Sequence, residues 1–107
     1  VWRNGVPFAR GAVPAVRLIA LGENDWESGA QTDARGVALR GKGYAVARYG
    51  CASFSLASAA LGWTDGYVEH GCSLWDIAAG AIICREAGLT VATAEIAPGR
   101  WSVEVRA

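Results

Sequence analysis

Residues 65–88 read DGYVEHGCSLWDIAAGAIICREAG, and they decide the fold. The first six, Asp65 to His70, alternate well enough for a strand. Ser73 then stands where a helix cap belongs, with Asp76 three residues on, the acidic position of a capping box. Trp75, Ala78, Ala79, Ile82, Ile83 and Ala87 recur at helical spacing, which predicts a helix over Ser73–Gly88 with Gly88 as its stop. A strand running straight into a helix is half of a layered α/β unit.

Working outward, the flanking segments repeat the theme. Upstream, Ala52 to Leu61 is rich in Ala and Ser and ends at Gly62, so it reads as a close-packed helix whose small residues admit a neighbouring backbone. Tyr44 to Arg48 and Val16 to Leu21 read as strands, with Pro14 weighing against strand just before. Gly22 to Gly43 is polar and Gly-rich, with room for a short helix around Gln31 to Leu39. Asn4-Gly5 predicts a tight hairpin turn, since both residues tolerate positive φ. Downstream, Leu89 to Thr93 and Trp101 to Arg106 read as strands. The expectation is one α/β domain with a layered mixed sheet flanked by helices.

Composition limits the function classes. The 107 residues fit one domain, and 52% are hydrophobic, enough for a packed core without disulfides. Ten basic and ten acidic residues cancel. The Arg residues are scattered, which argues against nucleic-acid binding. The apolar run Ala45 to Trp63 is interrupted by Arg48, Ser and Gly, and does not suit a membrane span. Three cysteines (Cys51, Cys72, Cys84) have no paired metal spacing and read as packed, reduced thiols of a cytoplasmic protein. Methionine is absent, so the chain is expected not to begin at a translation start.

The quoted stretch, with its Trp75-Asp76 pair, Ala/Gly-rich helix and Glu86-Ala87-Gly88 end, resembles the second signature of inositol monophosphatases. Gly50-Cys51-Ala52-Ser53, followed by Ala59, Gly62 and Asp65, is similar to the helix start that precedes that signature. The resemblance is dense from Arg48 to Val91. It implies the carboxy-terminal subdomain of the metal-dependent sugar-phosphatase fold, spanning residues 1–107, with the amino-terminal metal-binding half absent. It implies that Asp76 ligates a catalytic Mg²⁺ and that Glu69 contacts a substrate hydroxyl. Gly50, Cys51 and Ala52 would line the sugar site. Nothing in the chain matches the family's remaining ligands, a helical Glu and an Asp-Pro-Ile/Leu-Asp-Gly-Thr motif. Two departures concern the substrate: Cys51 stands where Ser or Thr is usual, and the Gly22–Gly43 segment is shorter than its counterpart.

The expected function is therefore a fragment of a Mg²⁺-dependent phosphatase acting on a small phosphorylated polyol such as inositol monophosphate. Histidinol phosphate, a sugar bisphosphate and a 3′-phosphonucleotide are the family's other substrates. Each residue also has a plainer reading. Asp76 is a helix-start carboxylate stabilised by the dipole; Glu69 is a solvated strand residue; Gly50 to Ala52 is a tight helix start. Trp75 is expected in the core beside the site, and Trp26 in an exposed loop. A Cys–His hydrolase built on His70 lacks an orienting third group. The competing function is a stand-alone, non-catalytic α/β module that self-associates, as a homo-oligomer, or binds a partner through the face its missing half would cover.

Overall fold

The computed structural model describes residues 1–11 and 15–107, so the expectation at Pro14 lies outside the described residues. The chain opens with a two-stranded hairpin, β1 (Trp2–Arg3) and β2 (Val6–Pro7), paired Trp2 to Pro7 and Arg3 to Val6. Asn4 at φ 52° and Gly5 at φ 78° make the turn, two left-handed residues whose twist suits a hairpin.

The remaining order is β3 (Leu18–Leu21), α1 (Gly29–Gly41), β4 (Ala45–Ala47), α2 (Ala52–Leu61), β5 (Gly66–Cys72), α3 (Leu74–Glu86), β6 (Thr90–Ala97) and β7 (Arg100–Arg106). The five longer strands form one mixed sheet in the order β4-β3-β5-β7-β6. β3 runs parallel to both β4 and β5, whereas β7 is antiparallel to β5 and β6. The expected layered mixed sheet flanked by helices is the observed fold.

The period of two along each strand divides the core. Ile19, Leu21 and Val68 face α1 and pack with Leu39, beside Tyr44 and Val46. Ala20, Tyr67, Val103 and Val105 face the other way and meet Leu56, Ala59, Ile77 and Cys84 of α2 and α3. The two helices on that side touch closely. A Cβ on Gly80 would lie 2.7 Å from Leu56 Cβ, so a glycine is needed for Leu56 to seat on α3. Buried Ser55 and Ser58 satisfy their hydroxyls within α2, each donating to the carbonyl four residues back (Cys51 and Phe54) at 2.8 Å. Gly62, at φ 83°, ends that helix as expected.

Five expectations need correction. β3 begins at Leu18 rather than Val16 because the Val16 and Arg17 N–H groups are taken by the Asp65 carboxylate, at 3.0 and 2.9 Å. The Gly22–Gly43 segment holds a full 13-residue helix. It starts from a complete capping box in which Gln31 N donates to Ser28 Oγ at 3.2 Å and Ser28 N donates to Gln31 Oε1 at 3.0 Å. The expected capping box on α3 does not form: Ser73 is the N-cap but its side chain makes no cap hydrogen bond. Trp75 is 83% exposed, and the buried face of α3 is Ile77, Ala81 and Cys84. Leu89 is buried but precedes its strand, which starts at Thr90.

Candidate functional site

A pocket of about 270 Å³ opens where the carboxyl end of β3 and the Tyr67–Glu69 stretch of its parallel neighbour β5 meet the first turns of α2 and α3. In open α/β sheets this is where ligands are held, because loops and helix starts converge there. Leu21, Gly22 and Glu23 supply one wall, Gly50 to Ser53 and Ser55 a second, Tyr67 and Glu69 the floor, and Asp76 the rim. The five residues singled out from sequence (Gly50, Cys51, Ala52, Glu69 and Asp76) therefore open onto one space.

The local chemistry follows from how each helix starts. Cys51 is the N-cap of α2 in extended conformation and, like Ser73 on α3, makes no side-chain cap bond. Two helices thus start beside the pocket without side-chain caps, and uncapped helix N-termini favour anions. Asp76 sits in the first turn of α3 and is exposed. Its N–H bonds the Ser73 carbonyl at 3.1 Å. Its carboxylate has no ion pair or hydrogen bond among the described residues. The failed capping box leaves this oxygen donor pair uncommitted at the pocket rim.

Glu69 is different. It is only 6% exposed, and both oxygens are held. Tyr67 OH donates to Oε1, and Asn24 Nδ2 donates to Oε2 at 2.9 Å. Burial and the Glu69 charge push the Tyr67 phenol well above its ordinary range, so it stays a donor. Gly22 makes the packing feasible: a Cβ there would lie 2.6 Å from Glu69 Cβ.

Cys51 is exposed, against the expectation of packing, whereas Cys72 and Cys84 are buried as expected. His70 points across the sheet from the pocket, as its place next to Glu69 in the strand requires. Its Nδ1 meets Arg35 Nη2 at 3.0 Å, and Arg35 also forks onto Glu27 at 2.6 and 2.5 Å. Burial first, and the Arg35 charge second, hold the imidazole below its usual value. It is thus a neutral acceptor inside an ion-pair network, with no cysteine partner there.

Glu23, Asn24 and Tyr67 were missed from sequence. Glu23 and Asn24 lie in the turn past β3, where no local pattern marks them, whereas Tyr67 shares a strand face with Glu69, a signal present in the alternation. Glu23 lines the pocket and pairs with Arg48 at 3.0 Å; Arg48 also holds Asp33 at 2.9 Å.

The sequence model of the inositol monophosphatase family matches residues 17–104, and the chain belongs to that family. It is 50% identical over 46 residues to inositol-1-monophosphatase SuhB of Mycobacterium tuberculosis, a match covering 43% of this chain and 16% of that protein. The solved inositol monophosphatase from Anabaena superposes with a TM-score of 0.74 at 31% identity, over 95% of this chain and 44% of that one. The extragenic suppressor protein suhB from Bartonella henselae gives a TM-score of 0.76 at 25% identity, over 96% of this chain and 43% of that one. The chain thus spans less than half the length of these solved structures. Among the described residues, no helix is long and apolar enough to cross a membrane.

Proposed function

We propose that residues 1–107 form the carboxy-terminal subdomain of a Mg²⁺-dependent phosphatase and supply the substrate-facing side of its site. The substrate is a small phosphorylated polyol such as inositol monophosphate, handled in a cytoplasmic setting. The observation that carries this reading is the convergence of Asp76, Glu69 and the Gly50–Ala52 turn on one pocket. Family membership supports phosphatase chemistry.

Asp76 fits a hard cation. It is an oxygen donor with no competing partner among the described residues, and Mg²⁺ prefers such ligands. Among those residues no group of three His, Cys, Asp or Glu side chains could hold a metal. On this reading Asp76 is one ligand of several, the others coming from an amino-terminal half. A bound Mg²⁺ would neutralise phosphate oxygens and activate water. The chain's own work is orientation. The α2 start offers backbone N–H groups to anionic or hydroxyl oxygens, and Glu69 accepts from a polyol hydroxyl. Cys51, in place of a hydroxyl side chain, removes one strong hydrogen-bonding group from that wall.

The test is hydrolysis of myo-inositol 1-phosphate by the polypeptide in which these residues are joined to a complementary amino-terminal half. Asp76→Asn should lower Mg²⁺-dependent turnover roughly 100-fold or more, since even indirect supports of a metal matter up to that level. Full activity in that variant would remove Asp76 from the mechanism. Calorimetric titration of the 107-residue chain alone should show only weak Mg²⁺ binding; tight multi-site binding contradicts the need for further ligands.

A second reading has one observation in its favour. Leu74, Trp75, Ile82 and Ile83 of α3 are exposed together, an apolar face that a second copy of the chain could cover in a non-catalytic, self-associating module. Sedimentation of the 107-residue chain decides it. A dimer lost in Ile82→Lys supports this reading, and a monomer at all concentrations rejects it.

A further inference from the structure

We infer that Asn24 is a positioning residue for the pocket: it locks the Glu69 carboxylate, together with Tyr67, as a fixed acceptor for substrate hydroxyls. The inference rests on the reading that the pocket takes a phosphorylated polyol. It starts from the hydrogen-bonding capacity of one amide.

Asn24 uses every bond it has. Its Oδ1 accepts the backbone N–H of Trp26 at 3.1 Å and of Glu27 at 3.2 Å. Its Nδ2 donates to the His70 carbonyl at 2.8 Å and to Glu69 Oε2 at 2.9 Å. Two N–H groups on one side and two oxygen acceptors on the other fix which way the amide faces. Asn24 therefore ties the turn before α1 to strand β5 and presents a donor to Glu69.

The consequence lies in what remains on Glu69. A carboxylate has about four acceptor directions. Tyr67 takes one on Oε1 and Asn24 takes one on Oε2. Each oxygen keeps a lone pair, and the missing side chain at Gly22 leaves the space that the Glu69 carboxylate occupies. Two neighbouring hydroxyls of a polyol match two such acceptors. Both holding groups are neutral donors. Without Asn24, the carboxylate rotates and recognition of the hydroxyls weakens while the phosphate end is untouched.

Asn24→Asp is the informative variant, because it keeps an oxygen for the Trp26 and Glu27 N–H groups but replaces the donor facing Glu69 by a second carboxylate oxygen. The first measurement needs no ligand. Carbon-13 relaxation of the Glu69 side chain in the 107-residue chain should show an ordered carboxylate in the wild type and a mobile one in Asn24→Asp, with Trp26 and Glu27 amide shifts retained. Equal Glu69 order in both proteins overturns the inference. Asn24→Ser, which retains a turn acceptor, serves if the aspartate variant does not fold. The second measurement titrates myo-inositol 1-phosphate and inorganic phosphate against amide shifts of the polypeptide in which these residues are joined to a complementary amino-terminal half. The variant should weaken inositol phosphate about tenfold, the worth of one hydrogen bond, and leave inorganic phosphate unchanged. Equal weakening of both overturns the inference in favour of a merely structural role. If the wild type takes no inositol phosphate, the phosphatase reading fails, and the Glu69 relaxation still decides whether Asn24 positions it.

Discussion

Asp65 Oδ2 accepts the backbone N–H of Arg17 at 2.9 Å across 48 residues of sequence. Its other oxygen accepts Val16 N–H at 3.0 Å, and its own N–H donates to the Leu18 carbonyl at 2.7 Å. The carboxylate is buried and takes the place of a strand partner for two residues that precede β3. Arg17 adopts φ 57° there, a left-handed conformation that non-glycine residues hold only when surrounding bonds require it.

Asp65→Ala removes both acceptors and leaves two N–H groups unpaired. Charge-assisted bonds of this kind lead to an expected loss of about 3 kcal/mol. Asp65→Asn should lose less, since its amide oxygen still accepts one N–H. Urea unfolding of the two variants checks the order. A smaller loss for alanine than for asparagine contradicts the bonding described.

The three thiols should separate cleanly in reactivity. Burial, with the Glu69 charge second, pushes Cys72 up to about 12, and burial pushes Cys84 up to about 11. Their sulfurs are also engaged, Cys72 Sγ on the Trp101 carbonyl and Cys84 Sγ on the Leu56 carbonyl, each at 3.1 Å. Cys51 alone is exposed. Only the thiolate reacts, so a disulfide reagent should label one thiol rapidly in the native chain and all three after denaturation. Mass mapping should place the rapid label on Cys51, and Cys51→Ser should abolish it.

Acid should loosen the α1 face before it affects the pocket side. The His70 imidazole is held below its ordinary 6.5 by burial and then by Arg35. Its folded state therefore binds fewer protons than the unfolded chain once pH falls beneath about 6.5, and stability declines from there toward the folded value. Glu27 is held below its ordinary 4.5, chiefly by its hydrogen bond to Arg35. Its contribution is complete above 4.5 and is lost as pH drops through the lowered value. Both signs agree. Urea midpoints should fall between pH 7 and 5, and His70→Gln should flatten that part of the profile while leaving the steeper loss below pH 4.5.

How far the sequence disclosed this arrangement depends on where the information lay. The Asn4-Gly5 hairpin, the α2 stop at Gly62 and the α3 span were local signals and were legible. The buried face of α3 was not. Apolar residues surround that helix on every side, so periodicity alone could not choose Ile77, Ala81 and Cys84 over Trp75, Ile82 and Ile83. Helix α1 was under-read for the opposite reason: its buried residues are Thr32, Gly36 and Leu39, which give almost no apolar rhythm. The sign that was present is Ser28-x-x-Gln31, a capping pattern set in a Gly-rich polar stretch. At the site, Glu69 and Asp76 came with the family resemblance. Tyr67 shares a strand face with Glu69, so strand alternation could have found it, whereas Asn24 reaches Glu69 across 45 residues of sequence, a tertiary contact that no local pattern encodes.

The contact between Gly80 of α3 and Leu56 of α2 yields a final test of the fold. In an exposed helix, Gly→Ala stabilises by about 0.5–1 kcal/mol through backbone entropy. At Gly80 the sign should reverse. A new Cβ would lie 2.6 Å from Leu56 Cδ1 and 2.7 Å from Leu56 Cβ. The Cδ1 atom can rotate away, but Cβ is fixed to the α2 backbone, so the helices must separate. Gly80→Ala is expected to destabilise by about 1–3 kcal/mol, the range for overpacked cores. Leu56→Ala alone should cost about 2–5 kcal/mol by opening a cavity. In the double variant the new methyl occupies part of the space Leu56 leaves. The combined loss should then fall short of the sum by about 1 kcal/mol or more, a coupling typical of residues in contact. Strict additivity in that cycle would mean that α2 and α3 do not meet at this pair, and the helix starts that frame the pocket would lose their common anchor.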